Sequence, residues 1–253
     1  MIVVLASAHD AKARAIVAAW APAGARLCTP GDLSTPGWRH RVGEPNDSTA
    51  VIGGEHVPAT AITGVLTRLP AVAANDLAHI AAADRDYVAS EMTAFLIAFL
   101  AALPCPMLNR PSASALSGPA WRQEQWLRAA DRCGIPVLPR CRGIRLAHGS
   151  SDRAASEGIP GGDGLDAPAE RAVEAAIEVT VVGDRVFGAS EALLSDWAGA
   201  LAAAGGVGAL GLGFVQCASG HALAWADPAP ELLSLDRLDA ARDFLTGASA
   251  RRS

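Results

Sequence analysis

Apolar and polar positions change period several times along this chain, and each change marks an element. Ile2–Ala6 is a continuous apolar run rich in β-branched residues, the pattern of a strand buried on both faces. Ser7-Ala8-His9-Asp10 follows as a loop ending in a candidate N-cap. Ala11–Trp20 reads as a helix and Ala25–Cys28 as a second strand, giving a βαβ opening. Trp38–Val42 and Ala50–Val57 predict a small hairpin with Gly53-Gly54 as its turn, and Ile62–Leu69 predicts another strand. From Asp84 onward, Val88, Met92, Phe95, Leu96, Phe99, Leu100 and Leu103 recur at spacings of three and four, one apolar stripe of a helix. Asp84, Asp86 and Glu91 occupy its first half, where the helix dipole favours negative charge. Cys105–Leu108 predicts a strand and Trp121–Arg132 a helix ending at Gly134.

The pattern then loosens. Gly149–Pro168 is rich in Gly, Ser, Asp and Pro and reads as a loop or insert at the boundary between two halves. Glu178–Val182, Gly183-Asp184 and Arg185–Gly188 form a tight hairpin signal. Glu191–Ala204 is an Ala-rich helix, Leu210–Cys217 and Ala222–Ala226 are strands, and Leu235–Leu245 is a closing helix. The glycines from Gly205 to Gly213 follow a helix and lead into a strand, so they read as a C-cap and turn, not as a phosphate cradle. The predicted fold class is α/β: an open, mostly parallel N-terminal sheet with flanking helices, followed by a smaller α+β lobe.

Composition narrows the function classes. With 253 residues, 51% hydrophobic and 19% charged, the chain has the make-up of a folded protein with a sizeable core. A net charge of −5 with no long basic run speaks against nucleic acid as a partner. Lys12 is the only lysine among 21 basic residues, which excludes any mechanism needing a second one. The five cysteines show no CxxC pair and no metal-type spacing with the histidines, as expected of free thiols in a reducing cytoplasm. Met1–Ala6 is too short for a signal peptide, and Ala94–Leu103 covers about half the length needed to span a bilayer. A cytoplasmic protein with no membrane partner is expected.

In open α/β sheets ligands bind beyond the carboxyl ends of the strands. Three predicted strand ends carry polar groups there: His9 and Asp10, then Arg68, then Asn109 and Arg110. Two arginines at neighbouring strand ends could hold a carboxylate or phosphate bidentately. The alternative is that Arg68 and Arg110 pair internally with Asp84, Asp86 or Glu91 and fix the long helix. His9 beside Asp10 could move a proton, or could simply precede an N-capping aspartate. The serines at 112, 114 and 117 show no nucleophile-elbow pattern.

Ile62–Leu69, Asp84–Leu103, Cys105–Pro111 and the Trp121–Pro136 segment running into Gly134-Ile135-Pro136-Val137-Leu138-Pro139 together resemble an ATP-grasp protein. The likeness is to the ligases that install amide or ester cross-links in ribosomally made peptides. It implies an N-terminal pre-ATP-grasp-like domain over residues 1–111 and a reduced ATP-grasp-like domain over 112–253, with Asn109-Arg110-Pro111 at the passage between them. It further implies ATP and Mg²⁺ as cofactors of a working member. Such ligases hold the nucleotide phosphates with lysines, whereas here Arg140, Arg142 and Arg145 stand where the first such strand is expected. The family's magnesium positions, an acidic residue and then a Glu-x-Asn, fall on Gln216, Trp225 and Asp227, of which only Asp227 is a candidate metal ligand.

Three readings follow. The first is a degenerate ATP-grasp-like protein that binds without ligating, takes no cofactor, and has as partner a peptide or a protein such as an active biosynthetic enzyme. The second is a working carboxylate–amine ligase with arginine-based phosphate contacts. The third is a small-molecule binding module built on His9, Arg68 and Arg110.

Overall fold

The computed structural model describes residues 1–138, 176–218 and 220–248. The βαβ opening forms as its periodicity requires: β1 (Ile2–Leu5), α1 (Ala11–Ala19) and β2 (Arg26–Cys28). Asp10 caps α1, its side chain accepting from the Ala13 N–H. With β5 (Gly64–Thr67) these strands make a three-stranded, fully parallel sheet in the order β2-β1-β5. All four residues of β1 and all four of β5 are buried, which is why β1 reads as an unbroken apolar run.

Helix α2 (Arg85–Ala102) covers one face of this sheet. Its predicted stripe meets the core: Leu96, Phe99, Leu100 and Leu103 are buried, and Val88, Met92 and Phe95 pack beside them. Trp38 stands edge-on to Phe95 and Phe99 and closes the cluster from outside.

Two predicted strands are shorter than their apolar runs. The hairpin lies wholly within β3 (Thr49–Ile52) and β4 (Glu55–Pro58), and residues 38–42 contribute only a single bridge, Arg39 to Thr49. Gly53 and Gly54, both at positive φ, form a two-residue turn that fixes the register so that Ala50 faces Val57. Cys105–Leu108 makes one parallel bridge, Met107 to Val65. Pro104 and Pro106 cannot donate to a ladder, so the pairing stops there.

After α3 (Gln123–Arg132), the second sheet is antiparallel, in the order β7-β6-β8-β9. It comprises β6 (Ile177–Val182), β7 (Arg185–Phe187), β8 (Ala209–Cys217) and β9 (Gly220–Asp227). Helices α3 and α4 (Ala192–Gly205) cover one face, burying Trp126, Leu194, Ala198 and Leu201 against Val179, Leu210, Leu212 and Phe214. Gly206, left-handed at φ +62°, ends α4 as the glycine run predicts.

The closing helix α5 (Leu235–Leu245) joins the sheets. Its Leu238, Ala241 and Leu245 share one core with Ile2, Val4 and Leu66 of the parallel sheet and with Val182 and Ala209 of the antiparallel one. The approach is close: a Cβ on Gly64 would lie 2.5 Å from the Leu245 carbonyl oxygen. Among the described residues no helix is long and apolar enough to cross a membrane.

Candidate functional site

Beyond the carboxyl ends of β5 and of the Cys105–Leu108 segment lies a small crevice lined by Leu66, Arg68, Leu108, Asn109, Pro228 and Leu232 among others. It encloses about 50 Å³, room for roughly three to five waters and not for a nucleotide.

Arg68 leaves the end of β5 and donates from Nε to Asp10 Oδ2 at 2.8 Å. The other Asp10 oxygen caps α1 through the Ala13 N–H at 3.0 Å. Partial burial pushes the Asp10 pKa up, but the Arg68 guanidinium and the helix N–H groups outweigh it and hold the carboxyl below its ordinary value. His9 is exposed; its backbone N–H reaches Ser7 Oγ, which itself donates to Asp76.

Asn109 is 6% exposed and its amide is fully engaged. Oδ1 accepts from the Gly208 and Ala209 N–H groups, each at 2.9 Å, and Nδ2 donates to the carbonyls of Ala209 at 3.1 Å and Pro228 at 2.6 Å. Giving to and taking from Ala209 at once, the side chain acts as one more rung on β8 where β9 has already ended. Gln123 does the same on the outer edge of β9, accepting from the Ala226 N–H and donating to the Ala226 carbonyl. Arg110 turns away from the crevice: Nη1 and Nη2 donate to the Leu103 and Cys105 carbonyls at 3.2 and 2.8 Å, closing the C-terminal end of α2.

Arg68 and Asn109 therefore line one crevice, with Asp10 joined to it through Arg68; His9 does not line it, and Arg110 is sent elsewhere. Neither Arg68 nor Arg110 pairs with Asp84, Asp86 or Glu91; each has a nearer acceptor. Arg140, Arg142, Arg145 and the Gly149–Pro168 stretch lie outside the described residues.

On the antiparallel sheet, Asp227 is exposed and its Oδ1 accepts from the Ala229 N–H at 2.8 Å. Two residues back along β9, the Trp225 indole lies on the bare backbone of its cross-strand partner Gly213: a Cβ there would meet Trp225 Nε1 at 2.0 Å. Gln216 is exposed and pairs with His221. One carboxylate beside an indole does not fit a divalent cation, which needs several oxygen ligands, and the described residues contain no group of three His, Cys, Asp or Glu able to hold a metal. Lys12 is held by Glu231 across the two halves, and its ammonium keeps the Glu231 carboxyl below the ordinary value. The cysteines among the described residues, Cys28, Cys105, Cys133 and Cys217, are free thiols, and burial pushes Cys28 and Cys105 up in pKa.

Pattern reading missed the Pro228–Pro230 wall, the Gln123 rung and the Lys12–Glu231 tie, because each joins residues about a hundred or more positions apart. The Trp225 contact did leave a signal. Glycines two apart in a strand, Gly211 and Gly213, bare one face of it.

Neither a family model nor a curated protein matches the sequence. Solved structures do match. The macrocyclase MdnC of Microcystis aeruginosa, bound with precursor peptide MdnA, superposes over 97% of this chain and 99% of its own, with TM-score 0.67 and 10% identity. A RiPP-associated ATP-grasp ligase of Chryseobacterium gregarium, in complex with ADP and a leader and core peptide, covers 98% and 96%, with TM-score 0.64 and 12% identity. The ATP-grasp ligase PsnB, complexed with minimal precursor, Mg and ADP, covers 99% and 96%, with TM-score 0.58 and 16% identity. The fold is that of the ATP-grasp proteins, matched along nearly the whole chain.

Proposed function

We propose that this chain is a degenerate ATP-grasp-like protein: a cytoplasmic, non-catalytic accessory of a peptide-modifying or other biosynthetic pathway that binds a peptide or a protein partner, such as an active modifying enzyme. The observation that carries the reading is the indole of Trp225 on Gly213, where phosphoryl transfer would call for metal-binding carboxylates. Asp227 alone supplies too little negative charge to hold Mg²⁺ against the phosphates. The one lysine is already engaged by Glu231. Support for a peptide partner comes from the precursor peptide bound in the MdnC structure and the leader and core peptide in the C. gregarium one.

The test is calorimetric titration of the full chain with ATP and Mg²⁺, and separately with ADP. The expected result is no saturable heat up to millimolar nucleotide. Micromolar binding would overturn it and favour the second reading, a carboxylate–amine ligase using arginines. The observation behind that reading is the run Arg140, Arg142, Arg145 that begins after Leu138-Pro139, with the Leu138 N–H bonded to the Leu223 carbonyl of β9. Changing all three arginines to alanine would then abolish the nucleotide heat.

A further inference from the structure

The crevice beyond β5 holds a cationic group that the fold does not use up. Arg68 is pinned on one side only, through Nε to Asp10, and Nη1 and Nη2 have no hydrogen-bond partner among the described residues. The side chain is nevertheless well held, since it is 17% exposed and its partner Asp10 is itself fixed as the cap of α1. A guanidinium immobilised through Nε still offers its two terminal N–H groups as a fork matched to paired oxygens. Around it stand apolar groups, Leu66, Leu108, Pro228, Pro230 and Leu232, which shield a charge-assisted bond from water. The enclosed space of about 50 Å³ suits a group of four or five heavy atoms, displacing the few waters it would otherwise hold.

We infer that this crevice is a binding site for a small oxyanion, a phosphate or carboxylate group, held on the terminal nitrogens of Arg68. Asn109 lines the site without binding the anion, because its four bonds are already made. Asp10 sets the affinity. Its ionised carboxylate already cancels the charge on Arg68, so the guanidinium is shared between two anions and binding falls in the millimolar range. The site stands apart from the nucleotide reading, and either outcome of the ATP titration leaves it open to its own test.

That test titrates the full chain with inorganic phosphate and, separately, with acetate, at constant ionic strength balanced by chloride. Binding is followed by NMR on the arginine Nε–H signals and on the backbone N–H signals of positions 67, 68 and 109, which line the crevice and remain in every variant. The expected result is one Nε–H signal that shifts saturably with a millimolar midpoint. Tighter binding of phosphate names a phosphoryl group as the natural occupant, and equal or tighter binding of acetate names a carboxylate. Asp10→Asn removes the competing charge and keeps an oxygen to cap α1, but its amide NH2 no longer accepts from Arg68 Nε; the freed charge outweighs the loosened side chain, and the midpoint should fall at least threefold. Arg68→Gln should raise it at least tenfold. Shifts that grow linearly with both anions, or a response unchanged in Arg68→Gln, would overturn the inference. Should Arg68→Gln fail to fold, an unchanged or higher midpoint in Asp10→Asn overturns it equally.

Discussion

Replacing Asn109 by alanine tests whether this strand-end amide is a structural rung or a free ligand group. The substitution removes four hydrogen bonds at a site that is 6% exposed. Gly208 keeps a partner, because its N–H also donates to the Leu108 carbonyl. The Ala209 N–H, the Ala209 carbonyl and the Pro228 carbonyl lose Asn109 as theirs. An unsatisfied buried polar group costs about 1–3 kcal/mol, and water entering the space left by the amide recovers part of that, so the expected loss is about 3–5 kcal/mol. That is a large share of the roughly 5–15 kcal/mol that holds a domain together. At about 2–4 °C per kcal/mol for a chain of this size, Tm falls by roughly 10 °C. Urea and thermal unfolding followed by circular dichroism would measure it. Asn109→Asp sharpens the comparison: it keeps the acceptor for Gly208 and Ala209 but sets an oxygen against two carbonyls. The carboxyl must then stay protonated, its folded pKa lies above the unfolded value, and stability falls as pH rises through the folded pKa. A loss under 1 kcal/mol for Asn109→Ala, or a gain, would refute the reasoning and return the side chain to a ligand-binding role.

Three further outcomes follow from the geometry. Gly213→Ala places a methyl where the Trp225 ring lies and should cost about 1–3 kcal/mol through overpacking; in a Trp225→Ala background most of that cost should vanish, and a double-mutant cycle of urea midpoints that shows simple additivity contradicts the contact. Gly64→Ala drives a Cβ against the Leu245 carbonyl, so α5 must shift and Tm should fall by several degrees; an unchanged melting curve would place the helix elsewhere. The folded pKa of Asp10 lies below its ordinary value, so the stability it contributes is present above the unfolded carboxylate pKa of about 3.9 and is lost as pH falls through the folded one. Asp10→Asn should therefore flatten part of the acid limb of stability against pH, and an acid limb identical to that of the parent would show that the pair contributes nothing.

Local chemistry alone determined the elements of this protein. The β-branched run Ile2–Leu5, the three-and-four spacing from Val88 to Leu103, the Gly53-Gly54 turn and the glycine after α4 each carry their instruction within a few residues, and each formed as its pattern dictates. Where neighbours forbade pairing, as at Pro104 and Pro106, the apolar run overstated the strand. The site was legible only in part. The rule that ligands lie beyond strand ends singled out Asp10, Arg68 and Asn109, which the fold does set near one another, but not what each would bond. That was decided by tertiary structure. Arg68 met Asp10 across 58 residues, Asn109 met Ala209 across 100, and Arg110 found two carbonyls at the end of α2 in place of the acids of its first half. A hydrogen bond has a range of about 3 Å, so its partner is fixed only when sheets and helices have packed, and the order of residues along the chain holds no record of that distance.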